Sequence, residues 1–227
     1  MTSWNSSISK IRDSAELFRG LDRREVDLIL AGATARCFSS QSAMTHQADD
    51  AQQILLLLKG RGRYFFQTPD GKKLILMWIT PGQILGAAAL ASPPSTYIVS
   101  TEAVRESVAL AWDGSTIRTL ARQFPRLQDN LFVIAMDYIS WYVAAHAALI
   151  SQTAQERLAH LVLGYAPSIG HAVPGGIELT VTNEELADAA NITPYTASRL
   201  ISRWSRNGAI RKLRGKILLR SPKKLFL

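Results

Sequence analysis

Between residues 36 and 112 the apolar positions come in short continuous or alternating runs, QILLLLKG, GRYFFQT, KKLILMWI and TYIVSTEAV. They are parted by turn signals at Lys59-Gly60, Pro69-Asp70-Gly71, Pro81-Gly82 and Pro93-Pro94. Runs of this length and punctuation predict strands joined by tight turns, and hence an all-β barrel or sandwich. Pro69-Asp70-Gly71 reads as a hairpin turn, and Asp49-Asp50 marks a surface loop. Ahead of the strands, residues 9–18 and 22–33 have helical spacing. No internal repeat or low-complexity segment interrupts the chain.

After the strands the period changes. Residues 131–150, LFVIAMDYISWYVAAHAALI, form a mostly apolar stretch of 20 residues, close to the length that spans a bilayer. Asp137 and His146 would be costly in hydrocarbon. The larger side chains instead follow a heptad, with Leu127, Ile134, Trp141 and Ala148 at one position and Leu131, Tyr138 and Ala145 at the other. The expectation is a long helix outside any membrane, burying one stripe against its own copy and another against its domain. A homodimer follows from that reading.

Residues 183–202 predict two short helices and a tight turn. Thr182 and Glu185 have capping-box spacing, and Leu186, Ala189 and Ala190 form the inner face of the first helix, where small Ala187 admits a close neighbour. Asn191 stands where the chain must turn, and asparagine tolerates a left-handed backbone. Thr193-Pro194 then gives an N-cap followed by proline at the first helical position. Along the second helix Ala197, Leu200, Ile201 and Trp204 make one apolar stripe. The opposite face carries Tyr195, Ser198, Arg199 and Ser202, with Thr196 and Arg203 at its margins. Such a face can meet guanine, phosphate and thymine methyl groups in a DNA groove. Asn207-Gly208 stops the helix, and AIRKL and KILLR around Arg214-Gly215 read as a two-stranded wing.

Charge strengthens the DNA reading. Residues 189–227 hold ten Lys and Arg and no Asp or Glu, whereas the rest of the chain has sixteen basic against eighteen acidic residues. The whole formal excess of +8 therefore lies beside the second helix, the distribution expected for phosphate neutralisation. A basic tail on an RNA-binding or membrane-surface protein is the competing reading, but membrane binding would want large apolar residues on the free face. With 227 residues, 47% of them apolar, the chain can form one large or two modest domains.

One cysteine, Cys37, excludes an internal disulfide and a four-cysteine metal or iron–sulfur site built from one chain. Arg36 is its one basic neighbour in sequence, which makes thiol sensing a weak reading. MTSWNSSISKIRDSAELF lacks the apolar core of a secretory signal, so a cytoplasmic location is expected. His46 and His146 are the candidate haem ligands, though a lone histidine is more often structural, and His160 and His171 have no partner at metal spacing. No metal site or cofactor is expected. Nor is an enzyme: GxxxxGK[ST], GxSxG and HExxH are all missing, and Gly60-Arg61-Gly62 reads as a strand turn.

The order of helices, β-roll, long helix and winged helix-turn-helix resembles the cAMP receptor protein and fumarate-nitrate regulator (CRP/FNR) family of bacterial transcription factors. The likeness is carried by LFRGLDRREVDLIL, HQADDAQQILLLLKGRGR, PGQILGAAAL, TAQERLAHLVLGYA and ITPYTASRLISRWSRNGAI. It implies an α+β fold: a cyclic-nucleotide-binding-like β-roll of double-stranded β-helix, jelly-roll type (residues 1–122), a dimerisation helix (123–150) and a DNA-binding winged helix-turn-helix (151–227). In relatives a Ser-Arg pair matching Ser198-Arg199 contacts phosphate and base. The likeness also implies an effector cradle at Gly82, Leu85, Gly86, Ala87, Ala88 and Leu90, with Tyr97 and Val99 nearby.

Departures from the family carry information too. Relatives usually place a glutamate where Tyr195 stands, so the preferred half-site is expected to differ. Cyclic-nucleotide binders resemble Gly-Glu-Leu followed by an Arg-Ser or Arg-Thr pair. Here Ala87 follows Gly86, and Ser92-Pro93-Pro94 occupies the region of the arginine. A phosphate without those anchors is poorly held, which argues against cyclic AMP. Strand alternation gives Arg105 a surface role rather than that of a displaced anchor.

The expected function is thus that of a homodimeric regulator on palindromic double-stranded DNA, with an unidentified small effector and RNA polymerase as protein partner. In it Arg199 reads a base, Tyr195 and Thr196 set specificity, Ser198 and Thr193 hold phosphates, and Lys212, Arg214 and Lys216 add backbone contacts from the wing. The alternative is a ligand-free β-roll that works as a protein-interaction module, with DNA binding set by a partner protein or by abundance.

Overall fold

A computed structural model describes residues 5–227 apart from Lys72 and Pro94. The first four residues of the segment read as lacking a secretory signal, Lys72 of the KKLILMWI run and Pro94 of the Ser92-Pro93-Pro94 run lie outside the described residues. The chain forms two compact units, Met1–Ser140 and Trp141–Leu227.

The first unit opens with α1 (Asn5–Ser14), a 3-10 turn (Glu16–Phe18) and α2 (Arg23–Ala31). The helix expected over residues 9–18 thus starts earlier and breaks at Ala15, whose backbone is extended. Asp22 and Glu25 form a capping box that fixes the start of α2. Next come β1 (Thr34–Phe38), β2 (Ala43–Thr45), β3 (Gln53–Lys59), β4 (Gly62–Gln67), β5 (Lys73–Ile79), β6 (Ile84–Leu85), β7 (Ser100–Ala103) and β8 (Ser107–Asp113). They pair antiparallel as two sheets, ordered β1-β8-β3-β6 and β2-β7-β4-β5. The turn around Gly71 joins β4 to β5, and that glycine adopts the left-handed backbone (φ 82°) which a tight hairpin requires.

One part of the strand reading is corrected. Of TYIVSTEAV only Ser100–Ala103 is strand, so Tyr97 and Val99 lie in an irregular segment. The Tyr97 amide bonds instead to the Asp49 carbonyl, and the Tyr97 carbonyl accepts from the Ala48 amide. Arg105 sits exposed in the turn between β7 and β8, in agreement with its surface reading.

Two apolar layers organise this unit. Leu55, Leu57, Ile79, Leu85, Ala109 and Ala111 pack together as one cluster. The alternate residues Ile54, Leu56, Leu110 and Trp112 point the other way, into a larger core with α1, α2, α3 (Gly114–Gln123) and the first half of α4 (Pro125–Ser151). Trp112 donates its indole N–H to the Ile29 carbonyl (2.8 Å), and buried Asn130 donates to the carbonyls of Leu17 and Arg19 (3.0 and 2.9 Å). Glu102 is buried between Arg63 and Lys73. Burial alone would push its carboxyl up, but hydrogen bonds from Lys73 and Arg63 hold it below the usual range.

The boundary between the units falls inside α4. In the second unit follow α5 (Ala154–Ile169), β9 (Gly170–Val173), β10 (Gly176–Leu179), α6 (Asn183–Ala189), α7 (Pro194–Arg206), β11 (Ile210–Leu213), β12 (Lys216–Leu219) and a 3-10 turn (Pro222–Phe226). The wing hairpin β11–β12 stands where the sequence puts it. The hairpin β9–β10, absent from the sequence reading, completes a sheet ordered β11-β12-β10-β9. Its signal was Pro174-Gly175-Gly176 between two short runs, and both glycines take positive φ.

Candidate functional site

Helices α6 and α7 form the predicted pair. The Thr182 hydroxyl accepts from the Glu185 amide (3.1 Å) while the Glu185 carboxylate accepts from the Thr182 amide (2.7 Å). Asn191 is left-handed at φ 49°, and Thr193 caps α7 through the Thr196 amide (3.1 Å) with Pro194 in the first turn. Ala197, Leu200, Ile201 and Trp204 are buried against Leu158, Val162 and Leu186, among others. The Trp204 indole donates to the Leu225 carbonyl (2.9 Å). Because the cap satisfies backbone donors at the start of α6, Thr182→Ala should lower stability by about 0.5–2 kcal/mol in chemical denaturation. The slope of that transition should stay unchanged.

The outward face of α7 is as polar as its spacing predicts. Tyr195 is 77% exposed, Arg199, Ser202 and Arg203 are exposed, and Thr196 and Ser198 are half-buried. Arg199 makes no ion pair or hydrogen bond among the described residues, so its guanidinium is available to a ligand. Arg203 differs, because its Nη1 donates to Gln155 Oε1 (3.1 Å). On the wing Lys212 and Arg214 are exposed, whereas Lys216 Nζ pairs with Glu178 Oε1 at 2.7 Å. Sequence alone makes Lys216 a free cation, since the Glu178 that meets it belongs to the unforeseen hairpin. Thr193 also shares its hydroxyl with Thr196 Oγ1 (2.9 Å).

Arg157 is a positioning residue that sequence reasoning missed. Its Nε donates to the Ala190 carbonyl (3.0 Å), its Nη2 to that of Asn191 (3.3 Å) and its Nη1 to that of Gln152 (2.8 Å). One guanidinium on α5 thereby satisfies two carbonyls of the α6–α7 turn, a tie that the local turn signal at Asn191 does not reveal. The rigid fork of donors suits this task better than a lysine would.

In the first unit the expected cradle lies on β6 and the segment after it. Leu85 is buried, Gly86 is left-handed (φ 81°), and Ala87–Leu90 form a 3-10 turn. Gly82 is also left-handed, at a turn before β6. Ala51, Ala89 and Tyr97 are buried together with Ala88 against them, while Leu90 belongs to the larger core. Val99 is half-buried. The carbonyl of Ile84 accepts from Tyr64 (3.2 Å) and from Tyr138 of α4 (2.5 Å), and the two rings meet edge to face at 6.2 Å. Burial raises the pKa of both phenols, that of Tyr138 to about 12, so both stay protonated donors at neutral pH. An open groove of about 430 Å3, lined by Arg12, Glu16, Arg19 and Leu21 among others, shares no residue with this cradle.

The stripe read as the self-association seam is used differently over its first half. Leu127, Leu131 and Ile134 are buried in the core of the first unit, and Tyr138 packs on the same core. A second stripe, Phe132, Met136, Ile139, Val143 and Ile150, is exposed, with Tyr142 and Leu149 beside it. Trp141 is exposed, Ala145 and Ala148 are half-buried, and His146 and His46 are exposed. Cys37 is exposed on β1, and no group of three or more potential metal ligands exists among the described residues.

Comparison with known proteins decides the family. The profile of the cyclic nucleotide-binding domain matches residues 35–124, and that of the Crp-like helix-turn-helix domain matches residues 156–226. The chain belongs to the CRP/FNR family. It is 24% identical to the cyclic AMP receptor protein of Thermus thermophilus over 200 residues, covering 86% of this chain and 88% of that one. It is 24% identical to the nitrogen fixation regulation protein FixK of Bradyrhizobium diazoefficiens, covering 82% and 77%. The solved structure of FixK2 from Bradyrhizobium japonicum shares the fold with a TM-score of 0.75 at 21% identity, over 86% of this chain and 96% of that one. As a CRP/FNR-type transcriptional regulator the protein joins a cyclic-nucleotide-binding-type β-roll, a long helix and a DNA-binding helix-turn-helix.

Proposed function

We propose that this protein is a homodimeric, sequence-specific regulator that lays α7 of each protomer into the major groove of a palindromic operator. The observation that carries the reading is the exposed polar face of α7, with Tyr195 and an Arg199 that is unengaged among the described residues, set among the cations of residues 189–227. Arg199 reads a base, Tyr195 and Thr196 set specificity, and Ser198 and Ser202 serve phosphate or base edges. Thr182 and Thr193 hold phosphates beside their caps, with Arg203, Lys212, Arg214 and Lys216 at the rim. Phe132, Met136, Ile139, Val143 and Ile150 pair the two copies, as a heptad seam on α4 requires.

Selection of bound duplexes from a random pool tests binding, symmetry and half-site together. A two-fold symmetric consensus is expected, and enrichment of no motif would end the proposal. Salt dependence separates the wing residues. Lys212→Ala should make the slope of log K against log salt shallower by about 0.9 for each phosphate it ceases to neutralise, and so by about 1.8 for a dimer. Lys216→Ala should change it less, because Glu178 already neutralises that ammonium.

A location in the cytoplasm with RNA polymerase as partner completes the reading, and catalysis forms no part of it. α4 is long and apolar enough by composition to cross a membrane, with mean hydropathy 1.4 over its most apolar window. Against a membrane role, Leu127, Asn130, Leu131 and Ile134 already serve a protein core. A second reading has one observation in its favour, a cradle with Ala87 where one charged anchor would stand and Ser92-Pro93-Pro94 in the region of the other. In it a partner protein or abundance, rather than a small effector, governs DNA binding. A metabolite panel that leaves the thermal midpoint unmoved favours this reading, and a stabilising metabolite favours the effector.

A further inference from the structure

We propose that Tyr97 is a built-in occupant of the β-roll, a tethered ring that fixes the cradle segment in its working position in place of a diffusible effector. The cradle cannot fix itself by side-chain bonds, since Ala87, Ala88 and Ala89 offer no polar atom beyond the main chain. Tyr97 supplies what they lack. Its ring packs with Ala51, Ala88 and Ala89, and its own exposure is 9%. Its hydroxyl donates to the Gln53 carbonyl (2.8 Å) and accepts from the Gln53 amide (3.0 Å), closing both main-chain groups at the first residue of β3.

Gly86 shows how little slack remains. A β-carbon there would stand 2.5 Å from the Gln53 carbonyl oxygen and 3.2 Å from Tyr97 Cε1, so turn, ring and strand are stacked in contact. The segment bearing the ring is pinned as well: the Tyr97 amide donates to Asp49, the Ala51 amide to Ser95, and Tyr97 accepts from Ala48, each at 2.9 Å. From α3, Arg118 Nη1 holds the Ala89 carbonyl at 2.6 Å. A diffusible ligand fixes such a segment only in proportion to its occupancy, whereas a side chain in the same chain is always present. The β-roll is therefore set once, by folding. This inference rests on the DNA-binding reading for its last readout only.

Removal of the ring should leave an apolar hole shaped for a small phenol. The test compares full-length wild type, Tyr97→Ala and Tyr97→Phe, with and without millimolar p-cresol, reading thermal midpoint and affinity for the duplex selected above. Wild type should show neither quantity changing with p-cresol. Tyr97→Ala should lose stability and bind the duplex about tenfold or more weakly, and p-cresol should restore both. Tyr97→Phe, which keeps the ring and leaves the Gln53 groups unpaired, should fall between the two and gain nothing from p-cresol.

Three results overturn the proposal. In the first, folded Tyr97→Ala binds the duplex like wild type. In the second, p-cresol rescues its thermal midpoint but not its DNA affinity, which reduces the ring to packing. In the third, p-cresol rescues neither quantity. If Tyr97→Ala does not fold, a Tyr97→Phe variant indistinguishable from wild type overturns it as well. Wild type that binds no duplex is the failure of the DNA reading instead, and the midpoint rescue still tests the ring.

Discussion

Ile139→Asp and Val143→Asp should each leave the protein folded but monomeric in sedimentation, with operator binding about 100- to 10,000-fold weaker. Both residues are exposed in a single chain, at 56% and 61%, so a carboxylate at either position is solvated in the monomer and costs little there. In a paired seam the same carboxylate would be taken out of water beside apolar neighbours without a partner, a cost of several kcal/mol for each copy. Only the associated state is penalised. The DNA consequence follows from linkage. With two α7 helices held together, the second half-site is engaged at an effective concentration near the millimolar range, and a monomer forfeits that advantage while keeping every direct bond to DNA. Leu131→Asp makes the contrast, since Leu131 belongs to the core and its loss should unfold the first unit. Dimers that persist in both seam variants would move the interface elsewhere.

That prediction also marks the limit of what the sequence could say. A run of 20 mostly apolar residues was legible as a long helix, and its heptad was legible too. Two interleaved stripes fit the same run, however: Leu127, Leu131, Ile134 and Tyr138 on one side, and Phe132, Met136, Ile139 and Val143 about 100° around the helix. Periodicity gives spacing but not which stripe the rest of the fold covers. The helix-turn-helix was read almost residue by residue, because capping and turn chemistry are local: Thr182, Asn191, Thr193 and Pro194 each act within a few positions of themselves. Long-range partners were invisible. Glu178 against Lys216, Gln155 against Arg203 and Arg157 against the Asn191 turn join residues 34 to 48 positions apart. Tyr97 was placed near the cradle but its irregular setting escaped for a related reason, since TYIVSTEAV alternates like a strand and the bonds that pull Tyr97 out of the ladder come from Asp49 and Gln53.

Arg199→Ala should weaken binding to the cognate operator by about 1–3 kcal/mol for each base the guanidinium reads, while affinity for random duplex falls far less. Two features of the site set the sign and the size. The guanidinium makes no bond within the protein among the described residues, so no internal interaction is removed and the thermal midpoint should stay put. It also extends from a helix whose opposite face is fixed by Ala197, Leu200, Ile201 and Trp204, so the backbone that carries it is already placed and binding has only the side chain to order. Two parallel N–H groups match the O6 and N7 acceptors of guanine, and a phosphate contact would lack that discrimination. The operator and random-sequence losses therefore assign the role: unequal losses identify a base contact, and equal losses a phosphate contact. Arg203→Ala is the internal control, because Gln155 holds that guanidinium at 3.1 Å. Its loss should affect both duplexes alike and more weakly. Tyr195→Glu carries the argument one step further by placing a carboxylate on a face that has none. As an acceptor it should favour cytosine in the half-site and penalise nearby phosphates, so duplexes selected with the variant should differ at that position alone.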